Sequence, residues 1–269
     1  MKKVTAQEVR EVQMGVLDEI VRICKENDLK YYLAYGSLIG AVRHKGYIPW
    51  DDDIDIFMVR EDYEKLFAIL KDENSNKAKW VSVIDDTDPD YFYPFSKVVD
   101  NRTEVKMDRH KGSHGIWVDV FPVDGLPKSD LMAKVFVMYC SFLRVVGLAM
   151  DTDFSSKTLS VWTLFYKRFF YALSSIIGKK RVCRFVEWTF HRYSVKNSDK
   201  VAILFSGHKL DAIFDKKILL AQADYKFEDR EYTGCANYDL YLTQLYGDYM
   251  TLPPVEKQIT HDFNAWWKD

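Results

Sequence analysis

The sequence predicts an α+β protein: a mixed β-sheet flanked by helices over residues 1–129, with a helical middle and C-terminal region over 130–269 packed on it or continuous with it. Three observations carry this reading. In the first half, short runs rich in Val, Ile and aromatics alternate with amphipathic helical patterns. From about Asp130 the chain turns to long apolar-aromatic stretches of helical length. From about Asp199 a mixed pattern returns and runs to the end.

The elements follow in order. Thr5 with Glu8 three residues on makes a capping box, and Val9, Val12, Val16, Ile20 and Cys24 recur at helical spacing, so a helix runs to Asn27-Asp28. Tyr31 to Tyr35 reads as a strand broken by Gly36-Ser37, and Leu38 to Arg43 as about two helical turns. A loop through Lys45 to Pro49 leads to a strand over Asp53 to Met58 and a helix over Glu61 to Leu70. Trp80 to Ile84, Phe95 to Val99 and Ile116 to Phe121 read as strands. Asp130 to Met150, Thr158 to Ile177 and Arg181 to Tyr193 read as helices.

Composition bounds the function. Apolar residues at 48% and charged residues at 29% are ordinary for a globular chain. With 38 Lys+Arg against 40 Asp+Glu there is no basic surplus, so a dedicated nucleic-acid binder is excluded. Cys24, Cys140, Cys183 and Cys235 stand singly and read as buried thiols of a reducing compartment. The N-terminus lacks the apolar core of a signal peptide, and no run of about 18 uninterrupted apolar residues occurs. The expected place is therefore the cytoplasm.

The chemistry concentrates at Trp50-Asp51-Asp52-Asp53-Ile54-Asp55-Ile56. Such a run is often a solvated turn. Here apolar residues alternate with the later acids, and on a strand Asp53 and Asp55 project from one face as hard oxygen ligands for Mg2+ or Mn2+. Upstream, Gly36-Ser37 opens a short helix and offers N–H groups and a hydroxyl to a phosphate. Asp119 interrupts an apolar strand, where a carboxylate must be paired, metal-bound or at an edge facing water. Arg43 and Lys97 are candidate partners for a diphosphate or for the acidic run itself. His44 reads as a loop hydrogen-bonder, and zinc binding by His110 and His114 is not expected.

The run from Tyr35 to Asp55 (YGSLIGAVRHKGYIPWDDDID), the segment GIWVDVFPVD at 115–124 and LYGDYMTLPP near the end closely resemble the signature of the LicD family. That family includes bacterial phosphocholine transferases and, more distantly, the fukutin-related ribitol-phosphate transferases. The resemblance implies a nucleotidyltransferase-like fold that transfers a phospho-substituent from CDP-choline, or another CDP-linked donor, to a hydroxyl of a glycan, lipid-linked glycan or teichoic acid precursor, releasing CMP. By motif it implies Asp53, Asp55 and Asp119 as catalytic and metal-binding carboxylates, with Asp119 as the favoured proton acceptor. It also implies Gly36 and Ser37 at the donor phosphates. If choline is the cargo, Trp50, Tyr91, Phe92, Tyr93 and Trp117 are candidates for the aromatic cage that a quaternary ammonium needs.

Two alternatives stand beside this reading: a true nucleotidyltransferase releasing pyrophosphate, and a catalytically silent glycan-binding scaffold. Three strand carboxylates argue against the scaffold. No P-loop, nucleophile elbow or HExxH occurs. The aromatic-basic segment Trp162 to Tyr171 admits a buried helix, which we favour, or a face lying in the membrane interface at the inner side of the cell membrane.

Overall fold

The computed structural model describes residues 1–85, 88, 91, 93–107, 114–150, 152, 154, 161–258 and 263–268. Phe92, His110, the Lys111–Ser113 turn and the start of the helix expected from Thr158 lie outside the described residues.

Helix α1 (Ala6–Glu26) begins as its sequence dictates. The Glu8 N–H donates to Thr5 Oγ1 at 3.2 Å, and the Thr5 N–H donates back to Glu8 Oε2 at 2.8 Å. Its apolar stripe, with Val16, Leu17 and Ile20 fully buried, packs in the main core. Behind β1 (Lys2–Lys3) and α1 come β2 (Tyr31–Leu33), α2 (Tyr35–Ile39) and a π-helical turn over Gly40–His44. Next are β3 (Asp55–Val59), α3 (Arg60–Lys71), β4 (Val81–Ile84), β5 (Ser96–Asp100), β6 (Thr103–Met107) and β7 (Trp117–Gly125).

The helical stretch is α4 (Asp130–Met150), α5 (Val161–Ile177) and α6 (Lys179–Phe190). The chain then returns to β8 (Lys200–Ala202), β9 (Ile213–Asp215), α7 (Lys216–Leu219), β10 (Gln222–Phe227), β11 (Arg230–Cys235), α8 (Tyr238–Tyr246) and β12 (Phe263–Trp267).

The expected mixed sheet is present. Its strands run β10-β11-β2-β3-β7-β5-β4, with β8 and β9 attached at the end of β7. β3 is parallel to β7 and β11 parallel to β2, and the other pairs are antiparallel. A smaller sheet orders β1-β12-β6. Strands from beyond residue 130 thus complete both sheets. All four cysteines are buried free thiols, as their isolated spacing implied.

Three expectations need correction. The strand expected from Asp53 starts at Asp55, so Asp53 lies in the lead-in. Gly36 and Ser37 sit within the first turn of α2, not in a turn ahead of it. The favoured burial of Trp162 to Tyr171 does not hold: Trp162, Phe165, Tyr166 and Phe169 of α5 are exposed, because α5 packs on α4 and α6 and not into the main core.

One buried ion pair ties the layers together. Arg60, the first residue of α3, makes a two-pronged contact with Asp124 near the end of β7, Nε to Oδ1 at 2.8 Å and Nη2 to Oδ2 at 2.6 Å. Both side chains are buried. Removing one partner leaves an uncompensated charge in the interior, which costs about 3–5 kcal/mol. Asp124→Ala is therefore expected to lower unfolding stability by about that amount in a urea titration, and a loss under about 1 kcal/mol would contradict the assignment.

Candidate active site

Strand register builds the site. Asp55 on β3 lies opposite Asp119 on β7, and Asp119 lies opposite Lys97 on β5. Directly paired residues project from the same face of a sheet, so the three form one row across adjacent strands. Within the row, Lys97 Nζ donates to Asp119 Oδ1 at 2.6 Å and Trp117 Nε1 donates to Asp119 Oδ2 at 3.0 Å. The Lys97 ammonium also lies 4.4 Å from the centre of the Trp117 ring. Asp119 is buried and paired on a central strand, so it is no water-facing edge acid.

The acidic loop is held by its backbone. Arg10 Nη2 of α1 donates to the carbonyls of Pro49 and Asp51, each at 3.1 Å, and Gln13 Nε2 donates to that of Asp52 at 2.8 Å. From the other side, the Glu228 carboxylate accepts the Tyr47 N–H at 3.0 Å. Ser37 Oγ accepts the Asp55 N–H at 2.9 Å, which fixes α2 to the start of β3. Gly36 lets the Asp51 carboxylate approach closely: a Cβ on it would stand 2.5 Å from Asp51 Oδ2 and push that side chain aside.

These restraints place Asp51, Asp53 and Asp55 on the wall of a cavity of about 420 Å³. Gly36 and Tyr35 share that wall, with Tyr35 held at a left-handed φ of 45°. Of the residues singled out from sequence, Gly36, Asp53 and Asp55 line the cavity. Ser37, Lys97 and Asp119 support it through Asp55. Arg43 is directed elsewhere, its guanidinium donating to the Tyr249 carbonyl and to His44 Nε2, the latter at 2.9 Å.

Sequence reasoning missed the opposite wall, formed by Arg144 of α4 and by Phe205, Ser206, Gly207, His208 and Tyr246. Among the described residues the buried Nε of Arg144 has no hydrogen-bond partner, and its guanidinium lies 5.3 Å from the Phe205 ring centre. Burial keeps the His208 imidazole below its ordinary value and hence neutral at pH 7. Its ring stacks on Tyr35 at 5.9 Å and meets Tyr246 edge-on at 5.0 Å. The cage candidates also need revision. Trp50, Tyr91, Tyr93 and Trp117 do not line this cavity; its aromatic lining is Tyr35, Phe95, Phe121, Phe205 and Tyr246.

Burial first, then the charges of Asp53, Asp119 and Asp51, push the Asp55 carboxyl well above the usual carboxylate range, and Lys97 offsets part of this. The site therefore holds more carboxylate than its own cations balance, which fits a hard divalent cation. Among the described residues no three His, Cys, Asp or Glu side chains form a ready-made metal cage. Mg2+ commonly takes only one or two carboxylates and fills its remaining positions with substrate phosphate and water, and Asp53 with Asp55 suits that mode.

A carboxyl raised on folding adds stability below its unfolded value and loses it as pH climbs through the folded one. In chelator, Asp55→Asn is therefore expected to melt above the wild type by a margin that opens as pH rises from about 4 to 8. At the upper end the gap should reach about 2–4 °C, corresponding to about 1 kcal/mol. Melting curves with parallel pH dependence would refute the electrostatic reading.

Comparison with known proteins agrees with this architecture. Residues 28–142 match the family model described as LicD/FKTN/FKRP, nucleotidyltransferase domain. The chain is 29% identical over 263 residues, 97% of each chain, to the lipopolysaccharide cholinephosphotransferase LicD of Haemophilus influenzae. A segment of 45 residues, 17% of each chain, is 51% identical to an uncharacterized protein of Rickettsia prowazekii. The row of Asp55 and Asp119 and the acidic wall of the cavity, Asp51, Asp53 and Asp55, all fall inside the residues that match this nucleotidyltransferase-domain model.

Proposed function

We propose that the protein transfers phosphocholine from a CDP-linked donor to a hydroxyl of a lipopolysaccharide-type glycan, releasing CMP. The observation that carries this reading is the cavity itself, lined by three carboxylates, by a guanidinium whose buried Nε has no hydrogen-bond partner among the described residues, and by five aromatic rings. The 97% coverage of a relative named for cholinephosphate transfer to lipopolysaccharide supports the cargo and the acceptor class.

In this reading Asp53 and Asp55 hold Mg2+ or Mn2+. The ion supplies charge neutralisation at the donor diphosphate. Arg144 meets the phosphate oxygens from the far wall, the role that the sequence offered to Arg43 or Lys97. Gly36 lets the donor approach the backbone of α2, and Ser37 keeps that backbone in place. The aromatic rings accept the trimethylammonium group, whose cation–π attraction needs no hydrogen bond.

Asp119, with both oxygens taken by Lys97 and Trp117, acts by positioning Asp55, so the acceptor proton passes to a cavity carboxylate instead.

A panel of CDP-linked donors, including CDP-choline and CDP-alditols, with Mg2+ and a glycan acceptor tests this. CMP release with the choline donor is expected, and pyrophosphate release would favour nucleotidyl transfer instead. Asp53→Asn and Asp55→Asn should abolish transfer while keeping the fold, as should excess EDTA, and turnover in EDTA would remove the metal from the proposal. Arg144→Met should raise KM for the CDP-linked donor about tenfold or more, the cost of one charge-assisted contact to phosphate. An unchanged KM would take Arg144 out of the donor site.

A further inference from the structure

The three helices between the sheet strands are apolar on the side that faces away from the protein. On α4 the inner stripe of Ala133, Val137, Cys140 and Leu143 packs with Leu126, Phe190 and Leu204. The outer stripe, including Leu131, Val135, Met138 and Phe142, is exposed. On α5, Trp162 is 82% exposed and Ile176 84%, with Phe165, Phe169 and Leu173 exposed at helical spacing between them. On α6 the exposed residues Arg181, Arg184, Phe185 and Trp188 share one face. Helices that show large apolar side chains on their solvent side mark an interaction surface, because a monomer seldom leaves so much aromatic area in water.

Charge selects the occupant. Residues 130–192 hold ten Lys and Arg against four Asp and Glu, a net of +6, while the rest of the chain carries −8. Lys134, Arg168, Arg181 and Arg184 stand exposed among the apolar side chains. A second copy docking face to face would set these exposed cations against one another, whereas an anionic headgroup layer would complement them.

Aromatics mixed with Lys and Arg are also the residues that anchor in the boundary between headgroups and acyl chains. α4 is long and apolar enough to cross a membrane. Its inner stripe is nevertheless committed to the protein core, so the helix lies along the surface.

We propose that the outer faces of α4, α5 and α6 form a docking surface for an anionic lipid bilayer. The docking does not depend on the reaction proposed above. It does bear on that reaction's substrate, because Arg144 of α4 lines the active-site cavity from the same helix. The cavity then sits about one helix diameter, 10–12 Å, from the lipid, within reach of an acceptor glycan carried on a lipid anchor.

Co-sedimentation of the full chain with vesicles, in the absence of any substrate, tests the docking on its own. Vesicles of phosphatidylcholine alone are compared with vesicles containing phosphatidylglycerol. The wild type should pellet with the anionic vesicles and much less with neutral ones or in high salt. The combined variant Trp162→Ser, Phe165→Ser, Phe169→Ser should lose about tenfold in partitioning while keeping the wild-type melting temperature. A second variant, Arg181→Glu with Arg184→Glu, should lose the preference for anionic lipid.

Equal pelleting of wild type and both variants, or wild type left in the supernatant, would overturn the proposal. So would sedimentation velocity showing a dimer that the triple serine variant converts to monomer, which would assign the face to self-association.

Discussion

Like charges held at close quarters are the constraint on which the rest of this structure turns. The parallel pairing of β3 with β7 sets Asp55 beside Asp119, and the acidic loop adds Asp51 and Asp53. Left alone, the arrangement drives the buried Asp55 toward its protonated form. Much of the surrounding structure keeps it in place: Lys97 and Trp117 occupy Asp119, Ser37 fixes the Asp55 backbone, and Arg10 and Gln13 hold the loop by its carbonyls. Local stability is given up here in return for a site with affinity for positive charge.

The opposite wall has the complementary character. Arg144 is a guanidinium whose buried Nε has no partner among the described residues, in contact with an aromatic ring and facing a cavity lined by acids. In the function proposed above, the acids take a divalent cation, Arg144 takes phosphate oxygens and the aromatic rings take the quaternary ammonium, so each part of the lining meets a different part of one donor.

What the sequence could and could not reveal follows from distance along the chain. Asp53 and Asp55 were legible because apolar residues alternate with them over a few positions, even though the strand begins two residues later than expected. The apolar flanks of Asp119 showed that it must be paired, metal-bound or at an edge, but not which, because the register between β5 and β7 that pairs it with Lys97 is a long-range fact.

Arg144 and His208 enter the cavity from segments about 90 residues or more beyond the acidic run with no local pattern to announce them, and the LYGDYMTLPP motif marks the segment of Tyr246 without showing that it meets the acids. Nearness to the motifs does not pick out the cavity's rings: Tyr35, Phe121 and Tyr246 belong to the motifs and line it, whereas Trp50 and Trp117 belong to them and do not. For α5, periodicity could not separate inside from outside, because the helix is apolar toward its neighbours and toward solvent alike.

The clamp that Glu228 makes on the acidic loop has a consequence for modularity. The turn between β10 and β11 grips residues 45–47, accepting the Tyr47 N–H and donating to the Lys45 carbonyl. β11 also covers the outer edge of β2. The segment that carries the recognisable signature is thus not a self-sufficient cassette. Cut out near residue 142, it would lose its loop restraint, expose a sheet edge and forfeit His208 and Tyr246. A graft of the motif onto another scaffold would copy the ligands without the restraints, and the portable unit is the signature together with the distant hairpin that holds it.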